Sequence, residues 1–387
     1  MKKDDISVLL VDGHTNQVLP FAKAFKKLSC SVTTINFSKL DVGYSSRYPD
    51  KKILETACFG DEEGRLKTIR ALLQTQKYQI VIPTSDFSAI LLSKNKVELS
   101  RYAYIAIADW ETIQIACDKY STMKVCMDYG IPCTKTLLNV NCIQDILDAN
   151  PAFPLVVKPR ISYGAIGFNV VKTKEELLNL LAKEDVSLND IIIQEYIFHT
   201  DLQYEAAMFI DSNNITKTAL VFSKNRWFPI NGGSSTLNIT VEDKEIVTNC
   251  EKLLKQINWR GCADIDLIRD PRDGVAKVLE INPRASGSVK ICFEAGVDLA
   301  KQILESALGN EVTKYDKYEI GVRLRRMHTD VLWFIYSKGR FKARPSWFNF
   351  KRTKEHIFSW SDPLPWFSST LQAFGKYKKE IKKRVFW

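Results

Sequence analysis

The sequence predicts an α/β protein: a doubly wound parallel-sheet domain, then an α+β region, then a basic, aromatic-rich C-terminal extension. Three observations carry the prediction. Short apolar strands alternate with helical stretches over about the first 110 residues, strands of antiparallel type follow, and the surplus positive charge sits in the last fifth of the chain.

Ser7–Val11 reads as the first strand, ended by Asp12 and Gly13. The opening MKKDDISVLLVDG reads as that strand rather than as a signal peptide, because Asp4, Asp5 and Asp12 bracket a short apolar run. Val18, Phe21, Ala22, Phe25 and Leu28 then recur at helical spacing, and further strands are expected at 30–35, 79–82 and 104–107. No GxGxxG follows the first strand, so a dinucleotide fingerprint is absent. A helix from about Asp118 is stopped by Tyr129, Gly130, Ile131 and Pro132. Residues 153–200 read as strand, glycine-containing loop, strand, helix and strand. Residues 203–310 read as a longer antiparallel set and then a helix from near Ser288. Leu299, Ile303, Leu304 and Leu308 lie on one face of that helix, and Gly309 is its expected cap. The expected domains are 1–112, 113–310 and 311–387.

An apolar content of 45% with 26% charged residues describes an ordinary folded protein, and no apolar run approaches the roughly 20 residues of a transmembrane helix. Nine cysteines, from Cys30 to Cys292, stand singly with no CxxC. That pattern implies reduced thiols and a cytoplasmic setting, not a disulfide framework or a thiolate metal site.

The stretch VLEINPRASGS, residues 278–288, places a carboxylate, an amide and a guanidinium within five positions. Glu280 and Asn282 share one strand face. Upstream, GCADIDLI places Asp264 and Asp266 on one face, and DPRDG between the two runs is a strong turn signal. A hairpin folded about Asp273 sets Ile268 against Val278, Asp266 against Glu280 and Asp264 against Asn282. Directly opposed Cβ atoms lie about 4.5–5.5 Å apart, so the two carboxylates repel unless a cation sits between them. Oxygen ligands of this kind suit Mg²⁺, which keeps positions open for phosphates; Arg284 stands ready to meet the same phosphates. A solvated hairpin is the alternative. A second motif, FPLVVKPRISYGAIG, delivers Lys158 at the end of an apolar strand and then a loop with Gly164 and Gly167, whose amides suit phosphate oxygens. IIIQEYI, residues 191–197, is a buried-type strand, followed by Asp201, Gln203 and Glu205.

Lysine strand, glycine loop, QEYI segment and an acidic hairpin ending in EINPR together resemble the ATP-grasp superfamily, and EINPRASGS resembles the large subunit of carbamoyl phosphate synthetase in particular. The likeness covers about residues 1–310, with a single grasp module built from two α+β subdomains. It implies ATP and one or two Mg²⁺ (or Mn²⁺) ions held by Asp266, Glu280 and Asn282. It also implies Arg284 and Asn282 at the reacting phosphate, Lys119 and Lys158 on the nucleotide, the main chain of Glu195, Tyr196 and Ile197 against adenine, and Asp201 or Gln203 at the ribose. The loop at Gly164 has fewer glycines than the family pattern. The activity implied is activation of a carboxylate as an acyl phosphate, which an amine then attacks, in surface-glycan or small-metabolite synthesis. A non-catalytic nucleotide- or nucleic-acid-binding relative is the other reading.

Phosphoryl transfer needs positioning and charge neutralisation more than a protein nucleophile, so Ser162, Ser286 and Ser288 need no catalytic role. KNRWFPINGGSST, with Lys224, Arg226, Gly232, Gly233 and Ser234, suits a loop that receives an anionic acceptor. His14, His199, His328 and His356 read as structural. Residues 312–387 carry 18 Lys and Arg against 6 Asp and Glu, with five of the eight tryptophans. Three readings stay open for this tail: an anionic membrane surface or lipid-linked substrate, nucleic acid as the least expected partner, or a solvated, partly packed appendage. Small-molecule carboxylate and amine substrates, a homodimer, and a cytoplasmic place at the inner face of a membrane complete the expectations.

Overall fold

The computed structural model describes residues 6–161, 167–183, 187–198, 203–230 and 233–373. Gly164, Asp201 and Gly232, three of the expected site residues, lie outside them, as do His199 and the last basic run of the tail.

The chain opens with β1 (Ser7–Val11), α1 (Val18–Lys27), β2 (Ser31–Asn36), α2 (Val42–Ser45), β3 (Lys51–Leu54), α3 (Glu62–Thr75), β4 (Ile80–Pro83), α4 (Asp86–Lys94), α5 (Lys96–Leu99) and β5 (Tyr104–Ile105). All four strand pairings are parallel and the order is β3-β2-β1-β4-β5. The expected doubly wound sheet is present. Alternation explains its two covered faces: Val8 and Leu10 enter one core, Leu9 and Val11 another. Strand β3, unforeseen, is an edge strand of sequence KKIL without buried residues, so it carries no apolar signal. The strand expected at 104–107 ends at Ile105.

Next come α6 (Trp110–Cys117), α7 (Lys119–Asp128), α8 (Ile143–Asp148), β6 (Leu155–Pro159), β7 (Asn169–Val171), α9 (Lys174–Lys183) and β8 (Ile191–Glu195). Gly130, at φ +60°, follows α7 where a stop was expected. The small sheet β7-β6-β8 is antiparallel. One of its faces, with Leu155, Val157, Ile191 and Ile193, packs with Ile146 and Leu177 of α8 and α9. Lys158 and its neighbour Ile192 therefore belong to the opposite face.

The rest is β9 (Gln203–Ile210), β10 (Thr216–Phe228), β11 (Ser234–Val241), α10 (Lys244–Gln256), β12 (Gly261–Arg269), β13 (Ala276–Asn282), α11 (Lys290–Glu294), α12 (Leu299–Ala307), β14 (Arg323–Arg325), α13 (Met327–Tyr336) and β15 (Thr353–Glu355). The large sheet runs β13-β12-β9-β10-β11-β14-β15. Ala206, Met208 and Ile210 of β9 point into one core, Ala207 and Phe209 into the other, so this sheet too is covered on both sides. The long helix expected after Ser288 is two helices, because Gly296 at φ +91° turns the chain between them. Leu308 is exposed and Gly309 follows at φ +67°.

The tail is not an appendage over its described length. Strand β14 pairs with β11 and extends the large sheet. Farther on, Asp362 accepts from the Arg47 amide at 3.0 Å, and Ser45 and Ser368 hydroxyls meet at 2.8 Å. Ile357 packs with Leu19 and Val42. Residues 311–373 thus clasp the N-terminal domain, and two of their tryptophans serve as packing: Trp366 stacks on His328 at 4.9 Å and Trp333 is buried, whereas Trp360 is exposed.

Candidate active site

Strands β12 and β13 form the expected hairpin, with Asp264 opposite Asn282 and Asp266 opposite Glu280. The expected pairing of Ile268 with Val278 fails. A bulge follows Asp266, so Val278 sits against Leu267 and Ile268 against Lys277. One extra residue, Leu279, locally twists the strand that carries Glu280.

The sheet order brings in a residue that sequence reasoning did not select. Strand β9 lies on the other side of β12, and Glu205 stands directly opposite Asp266. Glu205, Asp266 and Glu280 therefore form a row across three strands, with Asp264 and Asn282 one step along. The signal was present as the alternation of Gln203 and Glu205, which puts both side chains on one face of β9. Ser286, beyond the hairpin, donates its hydroxyl to Glu205.

Such a row needs cations, and lysines from three elements supply them. Lys224 of β10 pairs with Asp266 and, at 2.9 Å, with Glu205. Lys119, the first residue of α7, reaches Glu280 at 3.3 Å. Lys158 lies close enough to Glu280, Asp266 and Lys119 to feel all three charges; burial pushes its amine down to about 8, against the pull of Glu280. Burial likewise pushes Asp266 up to about 6 despite Lys224, and lifts Asp264 far above the ordinary carboxylate range with help from the Glu205 charge. Arg284 is held at 3.1 Å by Asp86, the first residue of α4, which ties the row to the N-terminal domain.

One expectation needs correction. Lys224 and Arg226 are not in a loop: both lie on β10, and Lys224 spends its charge on Glu205 and Asp266 rather than facing an open acceptor site. Gly233 immediately precedes β11 and Ser234 is the first residue of that strand, paired with Phe228; a Cβ at Gly233 would fall 2.5 Å from the Phe228 carbonyl oxygen. At the adenine segment, the amides of Glu195 and Tyr196 already donate to the carbonyls of Lys135 (2.8 Å) and Pro154 (3.1 Å). The Glu195 carboxylate is engaged by Arg272 and Lys277. A purine there would meet carbonyl oxygens rather than those two donors. A cavity of about 180 Å³ lined by Tyr120, Leu137, Arg160, Ile191 and Ile193 lies away from the carboxylates, on the covered face of the small sheet.

The residues fit a hard divalent ion. The donors are all oxygen, and Asp264 Oδ1 is a buried acceptor with no hydrogen-bond partner. The Asn282 amide nitrogen, 3.3 Å from Asp264 and 3.4 Å from Asp266, would present its oxygen after a simple flip. Among the described residues no three Asp, Glu, His or Cys side chains already enclose one point. Mg²⁺ takes one or two carboxylates and completes its shell with water and substrate phosphates, so it does not require such a group.

Residues 224–329, which contain this hairpin, match a family described as "ATP-grasp in the biosynthetic pathway with Ter operon". Over this segment the chain is similar to the ATP-grasp family. It is 25% identical over 267 residues to a D-aspartate ligase of Enterococcus faecium, covering 64% of this chain and 62% of that one. A carbamoyl phosphate synthase large chain of Clostridium botulinum is 25% identical over 302 residues, 75% of this chain and 27% of the relative. The chain thus spans less than two thirds of the length of these relatives. Among solved structures, biotin carboxylase from Campylobacter jejuni aligns with a TM-score of 0.68 at 14% identity, over 84% of this chain and 75% of that one. An L-amino acid ligase from Bacillus licheniformis aligns at 0.60 and 16%, over 79% and 75%. These likenesses establish the fold.

If Lys158 meets a nucleotide phosphate, Lys158→Met should weaken ATP binding about 10–100-fold, the worth of one hydrogen bond to a charged group. Its melting temperature should hold, since burial already disfavours the ammonium. Calorimetry giving equal affinities would remove Lys158 from the nucleotide site.

Proposed function

We propose that the protein is an ADP-forming ligase that activates a small-molecule carboxylate as an acyl phosphate for attack by an amine. The observation that carries the reading is the facing of Asp266 and Glu280, flanked by Glu205, Asp264 and Asn282 and served by three lysines. A non-catalytic relative would have no use for so costly a cluster of buried like charges. In this reading Asp266, Glu280 and Asn282 hold Mg²⁺, one or two ions, which supplies charge neutralisation at the triphosphate. Lys119 and Lys158 bind the nucleotide phosphates, Asp201 or Gln203 takes a ribose hydroxyl, and Gly164 keeps the role the resemblance implies. Arg284, released from Asp86, steadies the oxygens of the transferred phosphoryl group. The carboxylate oxygen attacks the γ-phosphorus, ADP leaves, and the amine then displaces phosphate. The relatives' names, D-aspartate ligase and L-amino acid ligase, make amino acids the first substrates to try.

The test is an ATP-consumption screen of amino acids and other small carboxylates paired with amines. ADP and inorganic phosphate are the expected products; AMP and pyrophosphate would reject the acyl-phosphate route.

For the described tail we propose an anionic surface as partner, a membrane or a lipid-linked substrate. Residues 331–354 hold seven Lys and Arg, seven aromatic residues and no Asp or Glu. Phe341 is 73% and Phe348 61% exposed. Among the described residues no helix is long and apolar enough to cross a membrane, so attachment would be peripheral. The full chain should co-sediment with vesicles containing phosphatidylglycerol and not with neutral ones, and less so at 1 M salt, where the Debye length has shrunk to about 3 Å. Binding to a single-stranded oligonucleotide instead would favour the nucleic-acid reading.

A further inference from the structure

Arg226 and Arg325 pose a problem of charge. Both are buried, at 3% and 1% exposure, and both are aimed at a single carboxylate, Asp330, which is fully buried. Arg325 donates to Asp330 Oδ2, Arg226 Nε lies 3.3 Å from Oδ1, and Thr236 donates to Oδ1 at 2.7 Å. One carboxylate cannot neutralise two guanidinium groups. Arg323 adds a third positive charge nearby, and Asp330 is the single acid that acts on Arg226 against burial and the two arginines. Among the described residues Arg226 Nε and Nη1 and Arg325 Nη2 have no hydrogen-bond partner, although each is shut off from solvent.

The two arginines differ in what else they do. Arg325 is tied in, between the Trp347 ring at 4.3 Å and the Phe350 ring at 4.7 Å, with Nη1 donating to the Trp347 carbonyl at 2.9 Å. Its role is to fasten the tail. Arg226 rests on the Trp333 ring at 5.0 Å and fastens nothing comparable. The β10–β11 ladder loses its regular register on both sides of Arg226, an irregularity of the kind that re-aims a side chain. The position also adjoins the carboxylate row. Lys224 is two residues away on the same strand. Asn238, two residues beyond Thr236, donates to Ser288 at 2.7 Å; the Ser288 amide donates to Ser286 at 2.9 Å, and Ser286 bonds Glu205.

We propose that Arg226, with the free edge of Arg325, binds an anionic oxygen group of the substrate, a carboxylate or a phosphate, and so selects acidic substrates for the neighbouring site. A guanidinium offers two parallel donors to such a group, and a bound oxyanion would cancel the positive charge that Asp330 leaves over. The choice of substrate rests on the ligase reading; the binding of the anion does not.

Equilibrium dialysis of the full chain tests this with radiolabelled inorganic phosphate and, separately, radiolabelled succinate, in the presence of Mg-ADP and again without nucleotide. The wild type should bind one of them at one per chain, and which one it binds separates the phosphate source from the carboxylate source. Arg226→Gln should lower that affinity at least tenfold; its fold is protected because Arg325 keeps Asp330 paired. Arg226→Lys retains the charge but not the paired donors, and should lower affinity at least fivefold even if the glutamine variant does not fold. Absence of binding in the wild type, or equal binding in a folded variant, would overturn the proposal. ADP affinity measured in the same samples separates the two ideas: anion binding through Arg226 without nucleotide binding would keep this inference and reject the ligase.

Discussion

Glu280→Gln is expected to cut ADP formation by ~10²–10³-fold, the range found when one preorganised electrostatic contact to a reacting phosphoryl or acyl group is lost. The fold should survive. Glu280 is one third exposed, its partner Lys119 lies at the start of α7, and the amide removes a negative charge placed opposite Asp266. The melting temperature of the ligand-free variant should therefore equal or exceed that of the wild type, while its affinity for Mn²⁺ in the presence of ADP falls. Retained turnover would mean that the hairpin is a solvated one. Lost turnover with unchanged metal affinity would keep Glu280 in the reaction but take it off the metal.

Asp12→Asn should be the most destabilising polar substitution in the N-terminal domain, at about 3–5 kcal/mol, the cost of leaving one member of a buried ion pair uncompensated. Asp12 ends β1 at φ +71° and is fully buried. Its carboxylate takes Arg65 on one oxygen and the Ser85 hydroxyl on the other, so it joins α3 to the start of α4. Arg65, 1% exposed, lies between the Phe37 ring at 5.0 Å and the Phe87 ring at 4.6 Å, and its ion-pair partner is Asp12. The double variant Asp12→Asn/Arg65→Met should recover part of the loss, because an uncharged pair has no desolvated charge to strand. Urea denaturation of the single and double variants measures this; a loss below 0.5 kcal/mol for Asp12→Asn, the ordinary value for a surface change, would show that the pair contributes nothing. Asp86, at the start of that same α4, holds Arg284, so the loss of Asp12 should also slow turnover in whatever fraction stays folded.

Local rules made much of this legible. Period-two alternation in GCADIDLI and VLEIN put Asp264, Asp266, Glu280 and Asn282 on matching faces, and the DPRDG turn set their register closely enough for both polar pairs to meet. Alternation of strands and helices gave the parallel sheet, since its central strands β1 and β4 are buried on both faces and read as apolar runs, while the exposed edge strand β3 does not. The bulge at Leu279 was not legible: skipping one residue leaves the composition of the strand unchanged and is decided by what packs on each side.

Contacts between strands distant in sequence were out of reach for the same reason. By its charge and its neighbours Lys224 looked like a residue for an acceptor, yet the order β13-β12-β9-β10 places it beside Glu205 and Asp266, 19 and 42 positions away in the chain. The tail looked like a separate basic appendage because charge and aromatic content are sums over residues, and a sum does not say which members are buried. Arg325 and Trp333 went into the fold, while Phe341 and Phe348 stayed outside. The sequence by itself determined the alternating faces, the turns and the chemical inventory of the site. The tertiary structure decided which charges share a space, because ion pairing across a sheet depends on strand order, and strand order is settled by the burial of whole faces rather than by any one segment.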